Sequence, residues 1–440
     1  MKKRISLFMA AIMVLTVMLS AIPIAAATNT FNASDANPTI STAEDYIAFF
    51  KAVYGSDSKL DFEGKTITML NDITLNDTTV ADWYTKSDAV KLVGNDSWKH
   101  FKGTFDGGDH TLKGVIVEGT FRSDAPIGIF PYVTFGGAVV NLTVDGFYVN
   151  SPNTSSDPTY GNAGIGGLIG HAKANVTVDN VTMKNGIVTC VANGKGGLGA
   201  VVGAYDGQEA NQQLKITNTT VENTVKVIGG NDNVYVGGII GYVHENYKSQ
   251  PTTVDLSGSE FTPYGSVDGT LKPIGSFKAG GDPTPMFSWT LKNTSTAYEK
   301  LFEMAGGTDY TADWNAAIVA SGCYAPVVRF VGMQTRSSDN GARFVGLIKA
   351  VDLEQISSLG FEITVGGKTV GPDVIKCTKV YASIVEDGTP LAAPEGYYYF
   401  TFVITGVADN TSFDVKACAT VSGTNYGTAV GTCVYPPVEA

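Results

Sequence analysis

The feature that most constrains the fold of this chain is a repeated block in which two bulky apolar residues are framed by glycines. The block reads GGLIG at residues 166–170, LGAVVG at 198–203 and GGIIG at 237–241, with a degenerate earlier copy, IGIFP, at 127–131. From Gly170 to Gly203 is 33 positions, and from Gly203 to Gly241 is 38. Periods of this length are typical of architectures in which each unit buries its apolar face by stacking on its neighbours.

A second block follows each copy and predicts a short strand that ends in a tight turn. It reads LTVDG at residues 142–146, VTVDN at 176–180, LKITN at 214–218 and VDLSG at 254–258. Apolar residues alternate with polar ones, and the closing Asn or Gly tolerates the left-handed backbone of a corner. We therefore predict coils of a parallel β-solenoid, with Gly146, Asn180, Asn218 and Gly258 stacked in one corner column. The glycines of the first block then have an architectural role.

These blocks, together with GTFDGGDHTLKG at residues 103–114, resemble the GLUG-motif repeats of secreted and surface proteins of Gram-positive bacteria. The resemblance covers roughly residues 42–261 and implies a right-handed parallel β-helix. It is less specific for function, because similar repeats occur in adhesins, in uncharacterised surface proteins and beside peptidase or glycan-active domains.

The N-terminus predicts secretion. A basic start is followed by an apolar run at residues 5–22 and by Ala25-Ala26-Ala27, so residues 1–27 read as a signal peptide that is cleaved before Thr28. No second apolar run of about 18 residues is present to span a membrane. The last residues carry no sorting signal, so we expect a secreted protein that is released or held non-covalently at the cell surface.

Composition supports an all-β exported protein. Only 16% of residues are charged while 51 are glycine, a balance that suits turns and strands better than helices. Acidic residues outnumber basic ones by 42 to 30, which gives a net charge of −12 and argues against nucleic-acid binding.

The chain divides into four predicted segments: the signal peptide, an N-terminal cap with the β-helix at residues 28–261, a closing cap or linker at 262–324, and a β-sandwich at 325–440. Residues 42–53 predict a short amphipathic helix that covers the open end of the solenoid, capped by Ser41 or Thr42. A second helix is predicted near residues 298–304.

The predicted sandwich rests on short strands at residues 327–331, 342–348, 359–365, 380–385, 397–404 and 413–421. Phrases such as ARFVGLI and YYYFTFVITGV resemble a small β-sandwich module found at the C-termini of large surface proteins of Gram-positive bacteria, which implies surface location and no defined activity.

Four of the five cysteines lie near the C-terminus, and in an exported protein they permit one or two disulfides. Cys323, Cys377, Cys418 and Cys433 allow three full pairings that the sequence does not rank. Cys190 lies in a β-like run and is expected to be buried.

Motifs for metal, nucleotide or serine-triad chemistry are missing from the sequence, so no cofactor and no metal are predicted. Fold analogy leaves a carbohydrate-active enzyme open, because β-helices include polysaccharide lyases and glycoside hydrolases. The repeat places Asp145 and Asp179 in one column on adjacent coils, and stacked acids about 5 Å apart fit a retaining glycosidase. The alternative is that both are ordinary turn residues.

A column of rings offers a binding surface instead. The glycine blocks place Tyr132, His171, Ala204 and Tyr242 in register, with Tyr205 one position on and His244 nearby. Facing outward, the column would be a strip for stacking against sugars; facing inward, it would be core. A loop with Trp83, Tyr84, Trp98 and Phe101 offers the same two alternatives, ligand contact or burial under the N-terminal cap.

Together these features favour a non-catalytic adhesion or recognition protein that presents an elongated β-helix face to a glycan or a protein. A carbohydrate-active β-helix enzyme is the alternative, and a structural spacer in the cell envelope is the third possibility.

Overall fold

The computed structural model describes residues 31–55, 60–93, 99–119, 125–151, 163–190, 196–207, 211–222, 224–229, 234–245, 252–265, 271–278, 287–294, 298–304, 308–324, 328–336, 339–349, 356–386, 388–394, 397–421, 424–428 and 431–436. The predicted signal peptide and Trp98 lie outside these residues.

The described chain is all-β, with strands as its main regular structure. Its helices are α1 (Ala43–Tyr54), α2 (Thr311–Ala320) and a 3-10 turn at Trp83–Thr85. The strands up to α2 are β1 (Thr39–Ile40), β2 (Thr66–Met69), β3 (Ile73–Thr74), β4 (Thr104–Glu118), β5 (Phe130–Thr134), β6 (Ala138–Ser151), β7 (Ala163–Gly166), β8 (Ile169–Lys173), β9 (Val176–Cys190), β10 (Gly196–Gly199), β11 (Val202–Gly207), β12 (Gln213–Thr217), β13 (Thr220–Val221), β14 (Lys226–Ile228), β15 (Val234–Gly237), β16 (Ile240–Glu245), β17 (Thr252–Asp255), β18 (Glu260–Phe261), β19 (Tyr264–Gly265), β20 (Ile274–Lys278), β21 (Phe287–Lys292) and β22 (Glu299–Met304). After α2 come β23 (Val328–Arg336), β24 (Gly341–Lys349), β25 (Ile356–Val365), β26 (Lys368–Val370), β27 (Ser383–Glu386), β28 (Thr389–Ala392), β29 (Tyr397–Ile404), β30 (Ser412–Val421), β31 (Thr424–Gly427) and β32 (Gly431–Val434).

Parallel sheets build a β-solenoid of about four turns, as the repeat predicts. A long sheet follows the order β1-β2-β4-β6-β9-β12-β17-β21, a second follows β5-β8-β11-β16-β20, and a third consists of β7, β10 and β15. Successive coils visit the sheets in the same order, so β7, β8 and β9 are followed by β10, β11 and β12. One apolar cluster extends along the solenoid from Ile40 to Tyr324.

The coils continue beyond Phe261, where the sequence predicts that the repeat ends. β20 pairs in parallel with β16, and β21 pairs in parallel with β17. β22 then pairs antiparallel with β21 and ends the long sheet.

Corner residues form two columns rather than the single predicted one. The first holds Asp109, Asn141, Asn180, Asn218 and Gly258, all with positive φ, and the Asn180 amide donates to Asn141 Oδ1 at 3.0 Å. The prediction is therefore wrong for Gly146. The register places it in a second column, with Gly114 and Asn185. β6 is the exception because its LTVDG block occurs five residues later in the coil than the corresponding blocks of β9 and β12.

Helix α1 closes the N-terminal end, as predicted. Thr42 is its N-cap and forms a reciprocal capping box with Asp45, whose carboxylate accepts the backbone N–H groups of Ser41 and Thr42. Tyr46, Phe49, Phe50 and Val53 are buried on one face. The Phe49 ring lies 5.3 Å from Phe105 and 5.7 Å from Phe101, so α1 seals the first coil with aromatic packing.

The C-terminal end is closed differently from the prediction. Residues 298–304 do not form a helix; residues 299–304 form the strand β22, and the helix is α2. Trp314 and Ile318 of α2 are buried in the solenoid cluster. Asn315 accepts the N–H of Ile274 at 2.7 Å and donates to its carbonyl at 2.9 Å, so one side chain takes the place of the next strand beside β20.

The C-terminal region consists of antiparallel sheets. One has the order β23-β24-β29, and another has the order β26-β25-β30-β31, with β32 also on β30. Phe344 and Phe400 of the first sheet and Phe361 and Val415 of the second belong to one apolar cluster. All six predicted strands are present, with ends shifted by a few residues.

The four C-terminal cysteines are free thiols in the structure, so none of the disulfides that the sequence permits is formed there. Cys323 packs in the solenoid cluster, away from the others. In β30, Cys418 lies opposite Gly360, whereas Cys433 lies opposite Phe413, five residues away. Cys377 lies on the core side of this region and donates to the carbonyl of Thr401. Cys190 is buried, as expected.

Candidate functional site

The predicted ring column is in register. Tyr132 lies opposite His171, Ala204 opposite both His171 and Tyr242, and Tyr242 opposite Ser276 in the next coil. The Tyr132 and His171 rings meet edge to face at 5.0 Å. The glycine-framed blocks therefore place these side chains in one column, as the sequence predicts.

This column is buried between two layers and offers no open ring face. Tyr132 is 3% exposed, His171 5% and Tyr242 9%. The strands β7 and β10 lie against it so closely that a Cβ at Gly164 would be 2.9 Å from the Cβ of Ala204, and one at Gly197 would be 2.7 Å from the Cβ of Tyr242. The glycines are needed for this close approach. At these positions the structure therefore has buried side chains rather than an outward-facing strip that could stack against sugars.

The two neighbouring candidates are Tyr205, whose side chain the structure describes, and His244, of which it describes the backbone. Tyr205 is wrong as a ligand contact, because it is fully buried in the solenoid cluster and its hydroxyl donates to the carbonyl of Ala174. His244 lies in β16, where its backbone is opposite Asp206 and Lys278. Its side chain lies outside the described part of the structure.

Burial also determines the protonation of these tyrosines. Burial raises the pKa of Tyr242 to about 12, with Tyr235, Asp206 and Asp309 adding to the shift. Burial likewise raises the pKa of Tyr132, with a smaller contribution from Asp206. Both side chains are neutral phenols near neutral pH, which suits a packing role better than a role as a general base.

The predicted acid pair is not assembled. In the strand register Asp145 lies opposite Lys184, five residues after Asp179, so the two acids do not share a column. Asp145 lies 3.7 Å from the Lys184 ammonium and accepts the Asn185 amide at 2.7 Å. Asp179 accepts the Thr217 hydroxyl and the Asn218 amide. Both carboxylates stabilise corner turns, which is the alternative that the sequence left open.

Partly exposed aromatic rings lie instead on the outer face of the long sheet. Tyr84, from the 3-10 turn, stacks on Tyr148 of β6, with ring centroids 4.3 Å apart and planes 12° from parallel. Trp83 is buried beneath and meets Tyr84 edge to face. We call Tyr84 and Tyr148 the tyrosine pair.

The loop that carries Tyr84 is held on the sheet by Asn76. Its side chain accepts the N–H of Val90 and donates to the carbonyls of Val90 and Gly114. Gly146, one of the corner glycines, lies under this loop, and a Cβ there would be 2.7 Å from the methyl carbon of Thr78. The loop is therefore a fixed part of the solenoid wall.

Charged groups surround the tyrosine pair. Lys91 and Glu118 form an ion pair of 3.0 Å, and Glu118 is close enough to Tyr148 to add to the rise in its pKa that burial causes. Burial also raises the pKa of Tyr84, with a contribution from Asp82. Both phenols keep their protons near neutral pH and can donate hydrogen bonds. Flat rings beside carboxylates and an ammonium group are suited to binding a sugar.

The sequence placed Tyr84 on a loop with two alternatives, ligand contact or burial under the N-terminal cap, and it did not single out Tyr148. The signal for Tyr148 is its position two residues after the corner Gly146, on the face opposite the core residues Phe147 and Val149. Its partner comes from a loop more than 60 residues earlier in the chain, and no local pattern predicts that contact.

Within the described ranges, no cluster of three or more His, Cys, Asp or Glu side chains is arranged to hold a metal ion. In the same part of the chain, no helix is long and apolar enough to cross a membrane.

Comparisons with known proteins add one distant similarity. Neither a protein-family model nor a curated protein matches the chain. A solved structure from Bacteroides ovatus named a "putative immunoglobulin A1 protease" is similar at 13% identity with a TM-score of 0.27. The match covers 59% of this chain and 83% of that one.

Proposed function

We propose that this chain is a secreted or cell-surface recognition protein that binds a glycan, without catalysis, on the outer face of its solenoid at the tyrosine pair. The observation that carries the proposal is the partly exposed, stacked pair of Tyr84 and Tyr148 beside Lys91, Glu118 and Asp82. Sugars bind to aromatic faces through their C–H groups and to flanking charged groups through their hydroxyls.

The finer features of the fold belong to the same proposal. Parallel connections within one sheet are right-handed in almost all proteins, which supports a right-handed β-helix. The glycine-framed blocks support the GLUG-motif type. The shared apolar cluster of the C-terminal sheets supports a β-sandwich. The basic and apolar N-terminus supports export.

The test is a glycan array probed with the chain from Thr28 to Ala440, with the same glycans assayed for released reducing ends or unsaturated sugars. We expect binding without product. Tyr148→Ala and Tyr84→Ala should each lower affinity about two- to ten-fold, the range expected for one aromatic contact. Tyr381→Ala is the matched control, because Tyr381 is 42% exposed in the C-terminal region, away from the pair.

Three results would contradict the proposal. If no glycan is bound, glycan recognition is wrong. If Tyr381→Ala weakens binding as much as Tyr148→Ala does, the site is misplaced. If product is released, the carbohydrate-active alternative is favoured over a non-catalytic role.

A further inference from the structure

A large cleft lies where α2 meets the first strand of the C-terminal region. Its volume is about 1110 Å³. Tyr235 of β15, Ser276 of β20, the outer face of α2 and Arg329 with Phe330 of β23 line it. It thus lies between the solenoid and the C-terminal sheets, far in sequence from the tyrosine pair. Small-molecule sites form preferentially at such junctions, in cavities of about 300–1,000 Å³.

Most of the lining is apolar. Alanines on the exposed side of α2, among them Ala316, leave room. Larger apolar groups form the remaining walls, namely Leu271, Pro273, Val319, Tyr324 and Phe330. A ligand that fills this space needs an apolar body, because a polar one would lose its hydration without replacement hydrogen bonds.

Several polar groups in the lining are already engaged. Asn315 pairs with the backbone of Ile274, and the Thr311 hydroxyl accepts the N–H of Phe277. Asp309 accepts the N–H of Thr311 at 2.9 Å, which places its carboxylate at the start of α2. The Tyr324 hydroxyl donates to the carbonyl of Leu271. These groups hold the cleft in shape and contribute little to ligand recognition.

Three further side chains of the lining, Ser276, Arg329 and Lys272, can donate hydrogen bonds to a ligand. Ser276 is 2% exposed, and its hydroxyl has no hydrogen-bond partner among the described residues. Arg329 Nε is buried and likewise has no acceptor in that part of the chain. The guanidinium is held in place because it lies 4.6 Å from the Tyr397 ring centroid and donates to the Tyr397 hydroxyl at 3.2 Å. Lys272 adds a second positive charge to the lining.

We propose that this cleft binds a small apolar carboxylate, with its carboxylate at Arg329 and Ser276 and its apolar body along α2. A carboxylate supplies the acceptors that Arg329 Nε and the Ser276 hydroxyl lack, and buried donors without acceptors are costly. This site is separate from the glycan site proposed above and does not depend on it.

The first experiment compares three probes of equal chain length on the unaltered protein by isothermal titration calorimetry. Dodecanoate should bind saturably at one site, and dodecan-1-ol and dodecylamine should bind at least about ten-fold more weakly, because charge-assisted hydrogen bonds are lost. Absence of dodecanoate binding, or equal binding of the alcohol, would overturn the proposal.

Variants then locate the site. Ala316→Trp should abolish dodecanoate binding, because Ala316 is an exposed α2 residue that lines the cleft. Asp313→Trp is the matched control, since Asp313 is exposed on the same helix and is not part of the lining. Ser276→Ala should weaken binding about three- to ten-fold, as expected for one hydrogen bond to a charged group. Equal binding by Ala316→Trp and Asp313→Trp, with unchanged circular dichroism, would place dodecanoate elsewhere.

Discussion

The two ends of the solenoid are closed by helices of similar length, but the two helices contact different groups at those ends. α1 covers the first coil with an aromatic face, and Phe49 is its central ring. The strand edge at that end is satisfied by backbone, since Phe101 exchanges hydrogen bonds with Tyr132 and Thr134. α2 covers the last coil with Trp314 and also supplies side-chain hydrogen bonds to the edge of β20.

The difference teaches that the end of a parallel solenoid exposes two things, an apolar core and a row of unpaired backbone groups. An amphipathic helix solves the first. The second requires another strand or side chains that imitate one. At the N-terminal end these tasks are divided between α1 and the segment around Phe101. At the C-terminal end α2 covers the core and also pairs with the edge of β20, while β22 pairs with the edge of β21.

The largest effect is expected at the aromatic cap. Phe49→Ala should lower the free energy of unfolding by about 3–5 kcal/mol, because it removes a fully buried ring from the centre of a cluster. Urea denaturation followed by tryptophan fluorescence measures it. Lys51→Ala on the exposed side of α1 is the control and should change stability by less than about 0.5 kcal/mol. A small effect of Phe49→Ala would show that α1 is not a stabilising cap.

A smaller, more local effect is expected at the C-terminal cap. Asn315→Leu keeps the size of the side chain but leaves the N–H and carbonyl of Ile274 without partners, at a cost of about 2 kcal/mol. Exchange of the Ile274 amide with solvent deuterium should accelerate, whereas Phe49→Ala should leave the local opening of this end unchanged.

Alkylation of Cys323 offers an independent measure of the same opening. Burial raises the pKa of this thiol to about 11, so at pH 8 the native thiol is protonated as well as shielded. Asn315→Leu should therefore increase its alkylation rate. Unchanged rates of both exchange and alkylation would mean that Asn315 does not hold the edge of β20.

The smallest effect is expected at the start of α1. Thr42→Ala removes the side-chain bond to the N–H of Asp45 and should cost about 1 kcal/mol. Thr42→Ser retains the hydroxyl and should recover most of the loss. At α2 the N-cap, Tyr310, makes no side-chain capping bond, and the side chain that accepts an N–H at the start of that helix is Asp309. Equal stability of the Ala and Ser variants would contradict the capping role.

The sequence predicted the solenoid, α1 and the register of the Tyr132 column, because each depends on local signals. The glycine-framed apolar pair marks the same position in every coil. The capping residues and the spacing of the aromatic residues define α1. The burial of Tyr132 and Tyr242 was not predictable in the same way, because it depends on a covering sheet whose strands come from earlier positions in each coil.

Other failures have the same origin. α2 lacks a clear amphipathic pattern, since its buried Asn315 is polar and acts on β20, about 40 residues earlier. The Asp145 column was misread because its block closely resembles the block ending at Asn180 but lies at a different corner. The tyrosine pair combines a loop residue with a strand residue. In each case the decisive contact is non-local.

Because the coils stack in register, the length of the solenoid can vary independently of its two end caps. Within the described ranges, each coil pairs with the coils before and after it, and each end is closed by its own helix. A chain with one more coil of the same pattern would carry both helices unchanged and be longer by about 4.8 Å. The number of coils thus sets the distance between α1 and the C-terminal sheets.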